Sequence, residues 1–114
     1  MSLERILKTI ETFGLSRIEA EVYVYLAKKG PKKGRELANA LQVTRQQLYP
    51  SLKNLKNKGV VTSSPKRPKL FSALAFEEVI DLLVKIKKEQ SAAILETKAE
   101  LFSNWKSVDW KNNT

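Results

Sequence analysis

The sequence predicts a mainly α-helical fold with one small β-hairpin, from three observations. Through most of the chain, apolar residues recur at steps of three and four, the spacing of one helical face. Residues 60–74 instead resemble two short strands, 60–63 and 69–74, around a polar turn that contains two prolines. Residues 76–106 contain neither proline nor glycine, which predicts one long helix.

Recognisable end signals delimit the first two predicted helices. The first spans residues 3–13 and ends at Gly14, a residue suited to the left-handed turn after a helix. Ser16 and Glu19 have the spacing of a capping box, in which each side chain bonds to the backbone of the other. They start a second helix that runs to about residue 29. Apolar residues cover much of its circumference, so we expect this helix to be central.

The third and fourth predicted helices form a closely spaced pair. The third covers residues 33–41, and Thr44 with Gln47 forms a second capping box that opens the fourth. The fourth helix ends at Gly59. A short helix, a tight turn and a second helix, followed by a basic hairpin, predict a winged helix-turn-helix with a long C-terminal helix.

The composition limits the classes of function. The chain of 114 residues fits a modest core, and it contains no cysteine and no histidine. Disulfides, thiolate chemistry, imidazole catalysis and the usual zinc ligands are therefore excluded. No glycine-rich phosphate-binding motif is present. We expect no enzyme, no cofactor and no metal. No signal peptide or membrane span is recognisable, so we expect a cytoplasmic protein.

The positive charge is concentrated in the middle third of the chain. The formal net charge is +9, and residues 28–69 contain twelve basic residues and a single acid, Glu36. A local basic field of this kind is typical of a protein that binds a polyanion. The alternative is a charged surface that only keeps the protein in solution.

The predicted helix-turn-helix assigns roles to particular side chains. Residues 1–75 form the DNA-binding domain, with recognition helix 45–58 in the major groove and wing 64–70 on the minor groove or the backbone. Residues 76–114 form the second domain. No acid occurs between residues 44 and 58, as contact with phosphates requires. The predicted DNA-binding residues are Arg45, Gln46, Gln47, Tyr49 and Lys53 on the recognition helix, Lys32, Lys33 and Arg35 at the start of the third helix, and Lys66, Arg67 and Lys69 on the wing.

Pro50 lies inside the predicted recognition helix. On a helical wheel it points away from the apolar stripe of Leu48, Leu52 and Leu55, so it does not disturb the core. It cannot donate to the carbonyl of Gln46 and its ring crowds that carbonyl. One hypothesis is that the resulting bend sets the angle at which the helix enters the groove. The other is a tolerated distortion without a role.

Residues 14–61, "GLSRIEAEVYVYLAKKGPKKGRELANALQVTRQQLYPSLKNLKNKGVV", resemble the DNA-binding domain of TrmB-type archaeal transcriptional regulators. The run "LYPSLKNLKNKG" is also similar to PadR-type repressors, which implies that Pro50 is compatible with a working recognition helix. The TrmB resemblance implies a winged helix. TrmB proteins carry a large sugar-sensing domain after it, whereas this sequence continues with one long helix, so we carry over no sugar site. The matching residues are Gly14, Leu15, Ser16, Glu19, Ala20, Val22, Tyr23, Leu26, Gly30, Pro31, Glu36, Leu37, Ala38, Val43, Tyr49, Leu52, Leu55, Lys58, Gly59 and Val61.

The second half of the long helix carries apolar residues that the domain core does not need. This predicts a homodimer, and a two-fold dimer would place two recognition helices about one DNA turn apart on a palindromic site. The alternative is that the helix folds back onto the first helix of its own chain. The predicted dimer contacts are Ile94, Leu101, Phe102, Trp105 and Val108.

Three functions remain open at this stage. The leading prediction is a dimeric regulator that binds double-stranded DNA sequence-specifically. A second is a winged helix that contacts proteins of the transcription machinery. A third is an RNA-binding or chromatin-like protein without sequence preference. The sequence indicates no small-molecule effector, operator or target gene.

Overall fold

The computed structural model describes residues 2–110, in which five α-helices and three short β-strands occur. This is a mainly helical winged helix-turn-helix with a long C-terminal helix, as predicted from the sequence. Residues 111–114, the end of the predicted second domain, lie outside the described residues. The helices are α1 (Leu3–Thr12), α2 (Arg17–Lys29), α3 (Gly34–Leu41), α4 (Arg45–Lys58) and α5 (Phe76–Trp105); the strands are β1 (Lys32–Lys33), β2 (Val61–Ser63) and β3 (Leu70–Ala73).

The predicted hairpin is part of a three-stranded antiparallel sheet with the order β1-β3-β2. Lys32 pairs with Phe71 and Lys33 with Leu70. The predicted third helix began at Lys33, whereas α3 begins at Gly34 with Lys33 as its N-cap, and Lys32 and Lys33 form a strand before it. A two-residue strand has no periodicity to detect, and it forms because the free edge of β3 offers backbone partners.

The core surrounds α2, whose side chains Val22, Tyr23 and Leu26 are almost completely buried. The Tyr23 hydroxyl donates to the Leu74 carbonyl at 2.8 Å, which ties α2 to the residue after β3. Burial raises the pKa of Tyr23 to about 12, so this hydroxyl stays protonated in neutral solution. The helix therefore supports the wing as well as the other helices.

Both predicted capping boxes are present. The Ser16 hydroxyl accepts from the Glu19 amide at 3.1 Å, and the Glu19 carboxylate accepts from the Ser16 amide at 3.1 Å. The Thr44 and Gln47 pair makes the same reciprocal bonds. Each box satisfies amides that a helix start leaves without partners, which fixes where α2 and α4 begin.

The long helix α5 contacts the domain only through its first turns. Val79 and Leu83 are buried, whereas every residue from 87 to 110 is exposed. The fold-back alternative is therefore wrong for this chain on its own, and α5 extends away from the domain. Within the part of the chain that the structure describes, no helix is long and apolar enough to cross a bilayer.

Candidate nucleic-acid interface

The fourth helix presents a polar face to solvent. Thr44 caps it, and Leu48, Leu52 and Leu55 are buried against the core, as the wheel geometry predicts. The opposite side is exposed and contains no acid between Thr44 and Lys58. The predicted DNA-binding residues of this helix, all exposed, are Arg45, Gln46, Gln47, Tyr49 and Lys53.

A cleft of about 710 Å³ separates the starts of α3 and α4 from the wing. It brings together six of the predicted DNA-binding residues, which come from three elements far apart in the sequence. Pairing of β1 with β3 places Lys33 beside the wing, so the strand that sequence reasoning missed helps to build the cleft. The lining residues are Lys33, Gly34, Arg35, Arg45, Tyr49, Arg67, Pro68, Lys69 and Phe71.

A smaller cleft of about 250 Å³ adjoins the first and shares Tyr49, Lys69 and Phe71 with it. Lys53 lines this second cleft, so it is the third predicted α4 residue, after Arg45 and Tyr49, on the same surface. Gln46 and Gln47 line neither cleft and belong only to the exposed face of α4. Lys32 and Lys66 also lie outside both linings.

The cations of the larger cleft have no acidic partner among residues 2–110. Four ion pairs occur within the described part of the chain, and all of them involve Arg17 or Lys58, neither of which lines the cleft. Glu36, the one acid nearby in sequence, directs its carboxylate to the backbone amide of Lys33 at 2.8 Å. Unpaired cations on the walls of one cleft create a strong local positive field that attracts anions.

The two glutamines of α4 differ in which side-chain groups are free to hydrogen-bond to a base. The Gln47 side-chain oxygen already accepts from the Thr44 amide at 3.0 Å. Bidentate recognition of adenine needs both the oxygen and the nitrogen of an amide. Gln47 therefore cannot read adenine in that way while it caps the helix. Gln46 makes no side-chain hydrogen bond within the described part of the chain and retains both groups.

Sequence reasoning missed a polar cluster that fixes the position of α4. Glu19 is 5% exposed, and its carboxylate accepts from Asn54 Nδ2 at 3.0 Å and lies 3.4 Å from Lys58 Nζ. Asn54 and Lys58 are 35 and 39 residues from Glu19, so only the capping role was visible in the sequence. The cluster holds the second half of α4 against α2, and the side-chain amide of Asn54 is already hydrogen-bonded in it.

Pro50 does not interrupt α4, which is continuous from Arg45 to Lys58. We expect Pro50→Ala to raise the free energy of unfolding by about 2 kcal/mol, because alanine restores the amide that can donate to the Gln46 carbonyl. Thermal unfolding measures this change. Unchanged affinity for DNA would favour the tolerated distortion, whereas weaker binding would favour the bend hypothesis; a lower melting temperature would contradict the expected stabilisation.

The distal half of α5 forms an exposed apolar stripe. The side chains of Ile94, Leu101 and Trp105 are 64%, 58% and 75% exposed. At 100° per residue, Leu83 and Leu101 point in the same direction, since they are five full turns apart. The stripe therefore continues the face that packs on the domain. The other predicted dimer contacts, Phe102 and Val108, are also exposed, together with Leu95 and Trp110.

The fold and this basic, acid-poor surface define a winged-helix DNA-binding transcriptional regulator. The family model described as "Sugar-specific transcriptional regulator TrmB" matches residues 10–77. The chain therefore belongs to the TrmB family, as its resemblance predicted. This is a family of DNA-binding regulators and not of enzymes.

Individual proteins agree with the family assignment. The HTH-type sugar sensing transcriptional regulator TrmBL1 of Pyrococcus furiosus is 30% identical over 78 residues, which are 68% of this chain and 23% of that protein. The structure of TrmBL2, an archaeal chromatin protein, aligns with a TM-score of 0.74 and 22% identity over 97% of this chain and 45% of that one. ST1889 from Sulfolobus tokodaii aligns with a TM-score of 0.65 and 21% identity over 82% and 98% of the two chains. The chain thus spans about a quarter of TrmBL1 and less than half of TrmBL2.

Proposed function

We propose that this protein is a homodimeric regulator that binds double-stranded DNA at specific sequences. The observation that carries the proposal is the cleft whose cations have no acidic partner, next to the acid-free exposed face of α4. Phosphates of a duplex supply the missing negative charge. In this proposal residues 1–75 bind the DNA and residues 76–114 form the dimer contact.

In this proposal the start of α4 reads bases in the major groove. Arg45 can bond to guanine, and Gln46, whose side-chain amide is unoccupied, can bond to adenine through both its oxygen and its nitrogen. Gln47 has only its side-chain nitrogen left to donate to a base, because its oxygen is used in the helix cap. Lys53 contacts phosphate. On the wing, Lys66, Arg67 and Lys69 contact the minor groove or its phosphates, and Lys32, Lys33 and Arg35 contact the backbone.

Selection from a pool of random duplexes tests the sequence specificity. We expect enrichment of a palindromic site whose half-sites are about one helical turn apart, because a two-fold dimer presents two equivalent α4 helices. If the selection enriched no motif and the protein bound all duplexes with similar affinity, specific recognition would be contradicted. That result would favour a chromatin-like role, and TrmBL2 is described as an archaeal chromatin protein.

Charge reversal on the wing tests the DNA contact itself. We expect Lys66→Glu with Arg67→Glu to weaken binding to random-sequence DNA at least about tenfold at moderate salt and to lower the salt slope by about 2. Fluorescence anisotropy over a range of salt concentrations measures both. The matched control is Lys85→Glu with Lys88→Glu, which makes the same change in net charge on exposed positions of α5. Equal losses in both variants would mean that only the overall charge matters and would contradict a wing contact.

A further inference from the structure

Gly34, the first residue of α3, lies directly against the side chain of Tyr49. A Cβ atom at position 34 would lie 2.5 Å from the Tyr49 hydroxyl oxygen and 3.0 Å from the ring carbon that carries it. The first separation is too short for a real contact, so a side chain at position 34 would force the phenol ring of Tyr49 to move. The backbone does not require glycine here, because Gly34 is absent from the positive-φ glycines, which are Gly14, Gly30 and Gly59. The missing side chain therefore serves to make room for the phenol ring.

Tyr49 lines the basic cleft together with Gly34, against which its hydroxyl is placed. Its ring forms part of the wall of both clefts, and the side chain is 45% exposed although it packs on Gly34. Among residues 2–110, the hydroxyl has no hydrogen-bond partner. Arg35 and Arg45 line the same cleft, so the phenol lies among cations that also lack acidic partners.

We propose that the Tyr49 hydroxyl donates a hydrogen bond to a backbone phosphate of the bound duplex, and that Gly34 is the positioning residue for this contact. The proposal rests on the proposed function and adds a site to it. A neutral O–H bonds strongly to an anionic phosphate oxygen, since charged acceptors shorten and strengthen hydrogen bonds. Arg45 and Arg67 line the same cleft and supply positive charge around that phosphate.

The position of Tyr49 favours a phosphate over a base edge. Its hydroxyl lies at the start of α3, whereas Gln46, the residue best suited to read a base, lines neither cleft. The wing residues Arg67 and Lys69 form the far wall. A backbone strand that runs between α4 and the wing would pass through this cleft with its phosphates between the two walls.

A double-mutant cycle with Gly34→Ala, Tyr49→Phe and the double variant tests the coupling. The probe is a short random-sequence duplex, because a phosphate contact does not depend on sequence. We expect Tyr49→Phe to weaken binding about fivefold to tenfold through the lost charge-assisted bond. Gly34→Ala should weaken it at least as much, because the added methyl displaces the phenol. The double variant should bind like Gly34→Ala alone.

The salt dependence separates the contact of the neutral phenol from the contacts of the cations in the cleft, and a loss of affinity in Tyr49→Phe at an unchanged melting temperature separates a phosphate contact from a merely structural role. Tyrosine is neutral, so Tyr49→Phe should leave the salt slope unchanged, whereas Arg67→Ala, which removes a cation from the same cleft, should lower it by about 1. Thermal unfolding checks the fold, and Tyr49→Phe, which keeps the ring, carries the test even if Gly34→Ala unfolds. Wild-type affinity in both single variants, or additive losses in the double variant, would overturn the inference. Failure of the wild-type protein to bind any duplex would overturn the proposed function instead.

Discussion

Replacing Glu19 with alanine is expected to lower the free energy of unfolding by about 3 kcal/mol. The carboxylate is 5% exposed and accepts from the Ser16 amide, from Asn54 Nδ2 and from Lys58 Nζ. Truncation leaves the first two donors without their acceptor inside the protein and removes the capping box of α2. Chemical denaturation followed by circular dichroism measures the loss.

Two control variants separate the buried cluster from simple charge removal. Glu19→Gln should cost about 1 kcal/mol, because Asn54 can rotate its amide and most hydrogen bonds persist. Glu4→Ala removes another carboxylate, which is hydrogen-bonded to Arg17 in water at the surface, and should change the unfolding midpoint little. If Glu19→Ala and Glu4→Ala had equal effects, the cluster would not hold α4 in place.

Local signals in the sequence predicted most of the helices correctly. Ser16 with Glu19, and Thr44 with Gln47, are capping boxes whose bonds span three residues, so the sequence contains all the information they need. The polar face of α4 follows from the spacing of its buried leucines in the same way. The continuity of α5 was also predictable, because nothing in residues 76–105 breaks a helix.

Contacts between distant segments were not predictable. Strand β1 exists because Lys32 and Lys33 meet the free edge of β3, and two residues show no pattern of their own. The cluster around Glu19 joins α2 to α4, and the packing of Tyr49 on Gly34 joins α4 to α3. Each depends on the relative placement of elements, which follows from core packing and not from the local sequence.

In the candidate site, too, local features were predictable from the sequence and contacts between distant segments were not. The sequence predicted which side chains face outward on α4 and that the wing is basic. It did not predict that Lys33, Arg45 and Arg67 line one cleft, because β1 pairing brings the first of them to the wing. It also did not predict that Gln47 uses its side-chain oxygen in the cap and loses bidentate readout.

Converting Leu101 and Trp105 to glutamate is expected to make the protein monomeric. Both side chains lie on the exposed stripe that continues the buried face of α5, one turn apart. Burying each in a partner contributes about 2 kcal/mol, and two facing pairs of carboxylates would add repulsion. Light scattering during gel filtration should show twice the chain mass of 13.0 kDa for the wild type and one chain mass for the variant.

The control is Ser103→Glu, since residue 103 lies about 180° around the helix from Ile94 and about 100° from Phe102. It adds a carboxylate to the same exposed stretch of α5 outside the stripe and should leave the dimer intact. The monomeric variant should also lose affinity for a palindromic site more than for a single half-site, because only the dimer engages both halves at once. A wild-type protein with the mass of one chain, or a variant that stays dimeric, would exclude the stripe as the dimer contact. Loss of the dimer with unchanged affinity for the palindrome would instead show that each winged helix binds DNA independently.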